Sequence, residues 1–226
     1  MAGAVLTPGA TPLPAASVIV VRDSPLEVLL LRRHEKSSFV PGAWVFPGGI
    51  ADPIDRALAA ELSDGSELAA MRLTAIRESF EETGLWLGAP LADPVARREE
   101  LRAGTISMRD LVREGSLDLE TLIWTSRWIT PEGLPKRFDT YFFVAAVSRD
   151  AAPSADQDEI EEVVWISPAE ALRRHAARAM HMVFPTVRNL ETIASFRTAS
   201  ELIESRRGAV IEAAEPVLVD GKPVLR

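Results

Sequence analysis

Arg77-Glu78-Ser79-Phe80-Glu81-Glu82-Thr83-Gly84-Leu85 is the stretch that most constrains this chain, because a helix through it carries three carboxylates on one arc. At roughly 100° per residue, Glu78, Glu81 and Glu82 fall within about a third of a turn. Like charges three and four residues apart repel, so such a helix needs a counter-charge. A hard divalent cation supplies one, since Mg²⁺ takes carboxylate oxygens and keeps waters and substrate phosphates as its other ligands. Upstream, Phe46-Pro47-Gly48-Gly49 makes a bend where backbone can approach a ligand closely. The chemistry these features imply is metal-assisted attack of water on a phosphate. The plainer alternative is an Arg77–Glu81 pair on a solvated acidic face. The glycines on either side of the acidic stretch favour the catalytic reading.

Composition narrows the remaining classes. The chain has 226 residues, which predicts one large domain or one domain with an appendage, and 47% of them are hydrophobic, ample for a core. A net charge of −8 argues against a general nucleic-acid surface, so a polyanionic substrate needs local cations. There are no cysteines, which excludes disulfides, zinc–thiolate sites and cysteine nucleophiles. Residues 1–16 lack a basic segment followed by an apolar core, so no secretory signal is expected there. No apolar run approaches the roughly 20 residues that span a bilayer. These features predict a cytoplasmic protein with no membrane or nucleic-acid partner, and they leave a homodimer open.

Along the chain, residues 1–15 are rich in Pro, Gly, Ala and Thr and predict a flexible lead-in to one domain over 16–226. β-rich runs at 16–22 and 26–32 flank Asp23-Ser24-Pro25, a hairpin signal. A third short strand is expected at 43–46, ending at the glycine bend. Residues 51–66 are expected to form a surface insertion that leaves the sheet and returns without displacing the glutamate face. Ser66 is placed to cap a helix over 67–83, which Gly84 terminates. Helical sequence is expected over 92–120 with a break at Gly104-Thr105, and strands at 121–129, 140–147 and 160–166. Ser167-Pro168 opens a helix to 179, and a second helix is expected over 185–206. Asp220-Gly221 is the expected turn of a C-terminal hairpin closing the extension 185–226. Helices on both sides of a mixed sheet predict an α/β fold, an α/β/α sandwich.

The acidic stretch also carries a family resemblance. Gly49, then Arg77-Glu78-x-x-Glu81-Glu82-x-Gly84-Leu85, resembles the box of the Nudix hydrolases, which cleave a diphosphate joining a nucleoside to another group. Ser79 stands where the box has an aliphatic residue. The box usually has 13 residues between its glycine and arginine, and here residues 50–76 number 27. Counted back eight from Arg77, the box's first glutamate falls on Ala69, with Glu67 the nearest acid. Further along come Trp128-Ile129-Thr130-Pro131, Arg137-Phe138-Asp139-Thr140, Trp165-Ile166-Ser167-Pro168 and Arg188-Asn189-Leu190-Glu191. This order is similar to the Nudix branch that includes the mammalian peroxisomal Nudix motif 19 coenzyme A diphosphatase, where an insertion in the box is expected. An arginine known from some other coenzyme A-cleaving members would fall four residues before Gly42, and Ser38 occupies that place.

The resemblance implies a Nudix-type sandwich, a Mg²⁺ cofactor with Mn²⁺ as the alternative, and a small-molecule nucleotide substrate. Glu78, Glu81 and Glu82 are then the carboxylate ligands, with the Gly49 carbonyl as a further one. Arg77 is expected to hold a glutamate in place. The general base is expected to be Glu78 or an acid of the run 158–162, with Glu162 the one singled out. Arg33, Lys136 and Arg137 are the cations expected at substrate phosphates, and Trp44 and Phe138 could stack on a base. His34, His175 and His181 have no metal-ligand spacing. The expected reaction is hydrolysis of coenzyme A or its acyl thioesters to 3′,5′-ADP and 4′-phosphopantetheine or its acyl form. The alternatives are another substrate such as NADH, ADP-ribose or a nucleotide sugar, and a Nudix-fold sensor that binds without cleaving.

Overall fold

Strand β1 (Leu13–Arg22) is the axis of the molecule, and its alternation explains the layers. Val18 and Val20 face one hydrophobic cluster, and Ile19 and Val21 face another. In β2 (Glu27–Arg33), Leu29 and Leu31 join the first cluster while Val28 and Leu30 join the second. A strand buried on both faces needs helices on both sides. The structure is a computed structural model that describes residues 10–37 and 39–225, so Ser38 and most of the expected lead-in lie outside it.

The main sheet is mixed. β1 runs parallel to β6 (Phe138–Ala146), which pairs antiparallel with β5 (Ile123–Ile129). On its other edge β1 is shared: Val21 and Arg22 pair with β2, while Ala15, Ala16 and Ser17 pair with β4 (Gly48–Ile50). β2 also carries β3 (Trp44–Val45) and β7 (Ile160–Ile166). β8 (Ala213–Ala214) adds to β5, and β9 (Val217–Val219) with β10 (Lys222–Val224) form a separate hairpin.

One helical layer holds α1 (Pro53–Leu62) and α2 (Glu67–Thr83), followed by α3 (Pro94–Arg102) and α4 (Met108–Glu114). The opposite layer holds α5 (Pro168–Ala176), α6 (Phe184–Ile193) and α7 (Ala199–Arg206). The α/β sandwich expected from the sequence is the observed architecture. Among the described residues no helix is long and apolar enough to cross a membrane.

Four local expectations are corrected. β1 begins at Leu13, inside the expected lead-in, because its first residues pair with β6 from Phe138 onward. Gly48 and Gly49 belong to a short strand, and the chain bends before them. Residues 51–66 leave the sheet after β4 and return before α2 as expected, but not wholly at the surface: they contain α1, whose Leu58 and Ala59 are buried in the core. The single helix expected over 185–206 is two helices, with Thr198 capping the second through Glu201 N.

Candidate active site

Helix α2 delivers the acidic residues. Ser66 Oγ caps its start by accepting from Ala69 N at 3.2 Å, and Gly84, at φ 73°, closes its end. Phe80, fully buried, fixes the rotation of the helix, so the glutamates turn toward β4. Glu82 is 4% exposed, and its Oε2 accepts from Gly48 N at 2.8 Å. A Cβ on Gly49 would lie 2.4 Å from Glu78 Oε1, and one on Gly48 would lie 2.4 Å from Ala16 O. Only glycine lets β4 squeeze between β1 and α2. Gly49 and Glu78 are therefore in direct contact, and Glu82 is the most deeply placed of the three acids.

Arg77 ties this arrangement together. Its guanidinium reaches Glu78 Oε1 at 2.8 Å, Glu81 Oε2 at 3.2 Å and the Ile50 carbonyl at 3.0 Å. It also grips Asp55, with Nε donating to Oδ1 at 3.1 Å and an amino nitrogen to Oδ2 at 2.9 Å. Asp55 is 1% exposed, and it also accepts from Thr74 Oγ1 at 2.9 Å and Asp52 N at 3.0 Å.

Asp55 was missed in the sequence although the spacing contains it. A box glutamate eight residues before the arginine, in a box of 13 intervening residues, lies six residues after the glycine. Six after Gly49 is Asp55. The extra residues therefore fall between Asp55 and Arg77, and the first half of the box is present with aspartate for glutamate.

The electrostatics are strained in a consistent direction. Burial pushes the Glu78 carboxyl up to about 7, with Arg77 opposing and Glu81 adding to the rise. Burial and then the charge of Glu78 push Glu82 well above the usual carboxylate range. Glu81 is raised too, by burial foremost. Burial works against the charge on Arg77, but its hydrogen bonds to Asp55 and the surrounding carboxylates outweigh that and raise it further.

These residues are suited to a hard cation. Among the described residues, one oxygen each of Glu78, Glu81 and Glu82 takes part in no hydrogen bond. Oxygen-only donors at crowded, half-buried carboxylates match Mg²⁺ or Mn²⁺. As they stand, no three acidic side chains among the described residues converge into a ready-made cage, and Arg77 bridges Glu78 and Glu81.

A cleft of about 930 Å³ opens over Gly49, Glu78 and Glu81. Arg33 and Lys136 line it, and among the described residues neither is in an ion pair. Lys136 Nζ lies 5.4 Å from the ring centre of Phe138, which packs edge-on against Phe39 at 4.9 Å. Arg137 is elsewhere: 7% exposed, it donates to the Thr130 carbonyl at 2.9 Å and to Glu215 at 2.6 Å. Trp44 is 8% exposed and belongs to the core.

Within the acidic run, Glu159 lines the cleft, and its charge helps raise Glu78, Glu81 and Glu82. Glu162 faces Arg32 across the β2–β7 ladder, at 3.5 Å, and is not part of the cleft wall. His175 accepts from Met182 N at 3.3 Å and His34 from Lys36 N at 3.0 Å, both local contacts. His181 lines the cleft.

The chain is similar to known proteins. A human protein named acyl-coenzyme A diphosphatase NUDT19 is 27% identical over 267 residues, covering 92% of this chain and 69% of that one. A Caenorhabditis elegans protein named putative nudix hydrolase 7 is 31% identical over 165 residues, covering 70% of this chain and 52% of that one. The chain thus spans between about half and two thirds of the length of these relatives. The crystal structure of a Nudix hydrolase from Alicyclobacillus acidocaldarius superposes with a TM-score of 0.77 at 27% identity, covering 86% of this chain and 96% of that one. The family model described as the NUDT19 Nudix domain matches residues 59–193. With α2 carrying its glutamates against β4 inside an α/β sandwich, the chain belongs to the Nudix hydrolases.

Proposed function

We propose that this protein hydrolyses the diphosphate of coenzyme A or an acyl-coenzyme A, giving 3′,5′-ADP and 4′-phosphopantetheine or its acyl form. The observation that carries this reading is one cleft that brings Glu78 and Glu81 together with two cations that form no ion pair among the described residues, and an aromatic pair. A diphosphate carrying a further phosphate and a purine needs those three features. The names of the vertebrate relatives support the same substrate class.

In this reading Glu78, Glu81, Glu82 and the Gly49 carbonyl hold Mg²⁺ or Mn²⁺. When bound, such a cation polarises phosphoryl oxygens and lowers the pKa of a bound water. Arg77, held by Asp55, orients Glu78 and Glu81. Glu159 takes the proton from the attacking water, because it is the acid of the run 158–162 that faces the cleft. The water oxygen bonds to phosphorus, the bridging P–O bond breaks, and the departing phosphate oxygen leaves with the electron pair. Arg33 and Lys136 neutralise phosphate charge, and Phe138 with Phe39 offers a face to the adenine. Arg137 has no part in this reading, since its donors are spent on the protein.

The test is a Mg²⁺-dependent hydrolysis panel with products identified by mass. Coenzyme A should be cleaved to 3′,5′-ADP faster than dephospho-coenzyme A, ADP-ribose or NADH is cleaved. If all three of those are cleaved faster, the substrate assignment fails and only a broader diphosphate hydrolase remains.

A further inference from the structure

The C-terminal hairpin lies outside the residues that match the family model, yet it lines the same cleft as Glu78 and Glu81. Its cleft face is set by strand alternation. Leu218 pairs with Pro223 across the β9–β10 ladder, and both line the cleft together with Pro216. Val219, the next residue, points to the opposite face and is 50% exposed.

The hairpin is anchored at its base. β8 extends the main sheet by pairing Ala213 and Ala214 with Arg127 and Trp128. Glu215 then accepts from the buried Arg137 at 2.6 Å. This explains the commitment of Arg137: a cation expected to meet substrate fixes the segment that leads into the cleft wall.

The chemistry of the wall selects what it can bind. Pro216 and Pro223 have no N–H to donate, Leu218 offers only methyl and methylene groups, and Phe184 and Leu134 line the same cleft. The amides of a pantetheine arm would leave donors and acceptors unpaired against these residues, at a desolvation cost. A hydrocarbon chain has no such requirement and gains from leaving water.

We propose that the C-terminal hairpin, held by the Arg137–Glu215 pair, is a binding wall for a linear hydrocarbon chain, so that fatty acyl thioesters of coenzyme A are preferred over the free thiol. This rests on the coenzyme A reading above and adds to it where the acyl chain goes.

The test compares octanoyl-coenzyme A with free coenzyme A in the whole 226-residue chain. Leu218→Asn puts a polar group on the cleft face, and Val219→Asn makes the same change on the outer face. Neither alters charge, and both positions are already partly exposed. Leu218→Asn is expected to lower kcat/KM for the octanoyl thioester at least about tenfold more than for free coenzyme A, mostly through KM. Val219→Asn should leave the ratio of the two substrates at its wild-type value. Glu215→Gln, which weakens the anchor, should lower the acyl preference without abolishing cleavage of free coenzyme A. Equal losses on both substrates in Leu218→Asn, or the same ratio change in Val219→Asn, would overturn the proposal. If the unmodified protein cleaves neither substrate, it is the coenzyme A reading itself that fails.

Discussion

Glu82 shows how a single residue is fitted to two tasks. Its carboxylate sits against Gly48 N, which a glutamine oxygen could also accept from, so the hydrogen bond does not depend on the charge. The charge is needed only if a cation is bound. Glu82→Gln is therefore expected to lower turnover at least about a hundredfold, equivalent to roughly 2.7 kcal/mol of barrier, while the fold survives. Wild-type turnover of this variant at saturating Mg²⁺ would remove Glu82 from the ligand set. The place of this residue on α2 was legible in the sequence because that helix is governed by local rules: a serine cap, an apolar stripe and a terminal glycine. Arg137 was not legible. Its partner Glu215 is 78 positions away, and no short-range pattern announces a contact made through a strand added at the sheet edge.

At the scale of elements, α1 and the entrance of β7 decide which acids matter. The sequence predicts a surface insertion over 51–66, and counting back from Arg77 crosses the extra residues and lands on Ala69. Counting forward from Gly49 stays within unaltered spacing and reaches Asp55. Asp55 and the Arg77 side chain, 1% and 11% exposed, form a buried pair, and Glu78 and Glu81 still face the guanidinium when Asp55 is neutralised. Asp55→Asn is expected to cost about 1–3 kcal/mol, read as a lowered urea midpoint with an unchanged slope. A midpoint indistinguishable from wild type would show that α1 does not hold the site. For β7 the difficulty was register. In Glu159-Ile160-Glu161-Glu162 any acid could face the cleft, and the irregularity at Arg32/Arg33 in the β2–β7 ladder settles the outcome in a way composition cannot reveal. Glu159→Gln should lower kcat about a hundredfold or more, as for loss of a general base, and Glu162→Gln should leave it within about threefold. The reverse pattern would return the role to Glu162.

The whole molecule carries the consequence of collecting these acids. The cleft is assembled from the central strands, α2, the β5–β6 connection, the β7 entrance and the C-terminal hairpin, so its integrity is a property of the folded chain. That made the sandwich readable from strand and helix order, while the cleft's composition was not, because its walls come from both ends of the sequence. The same architecture makes metal binding visible in global stability without any assay of activity. A ligand that binds only the folded state stabilises it by RT ln(1 + [L]/Kd), about 2.7 kcal/mol at a hundredfold excess over Kd. For a chain of this size each kcal/mol shifts Tm by roughly 2–4 °C. Mg²⁺ at that excess is therefore expected to raise Tm by about 5–10 °C in the unmodified protein. In Glu82→Gln the metal-free Tm should be no lower than that of wild type, because a repelling buried carboxylate is gone, and the response to Mg²⁺ should largely vanish. A Tm that ignores both Mg²⁺ and Mn²⁺ in the unmodified protein, or one that responds equally in the variant, would leave the glutamate arc without a cation and the proposed chemistry without its basis.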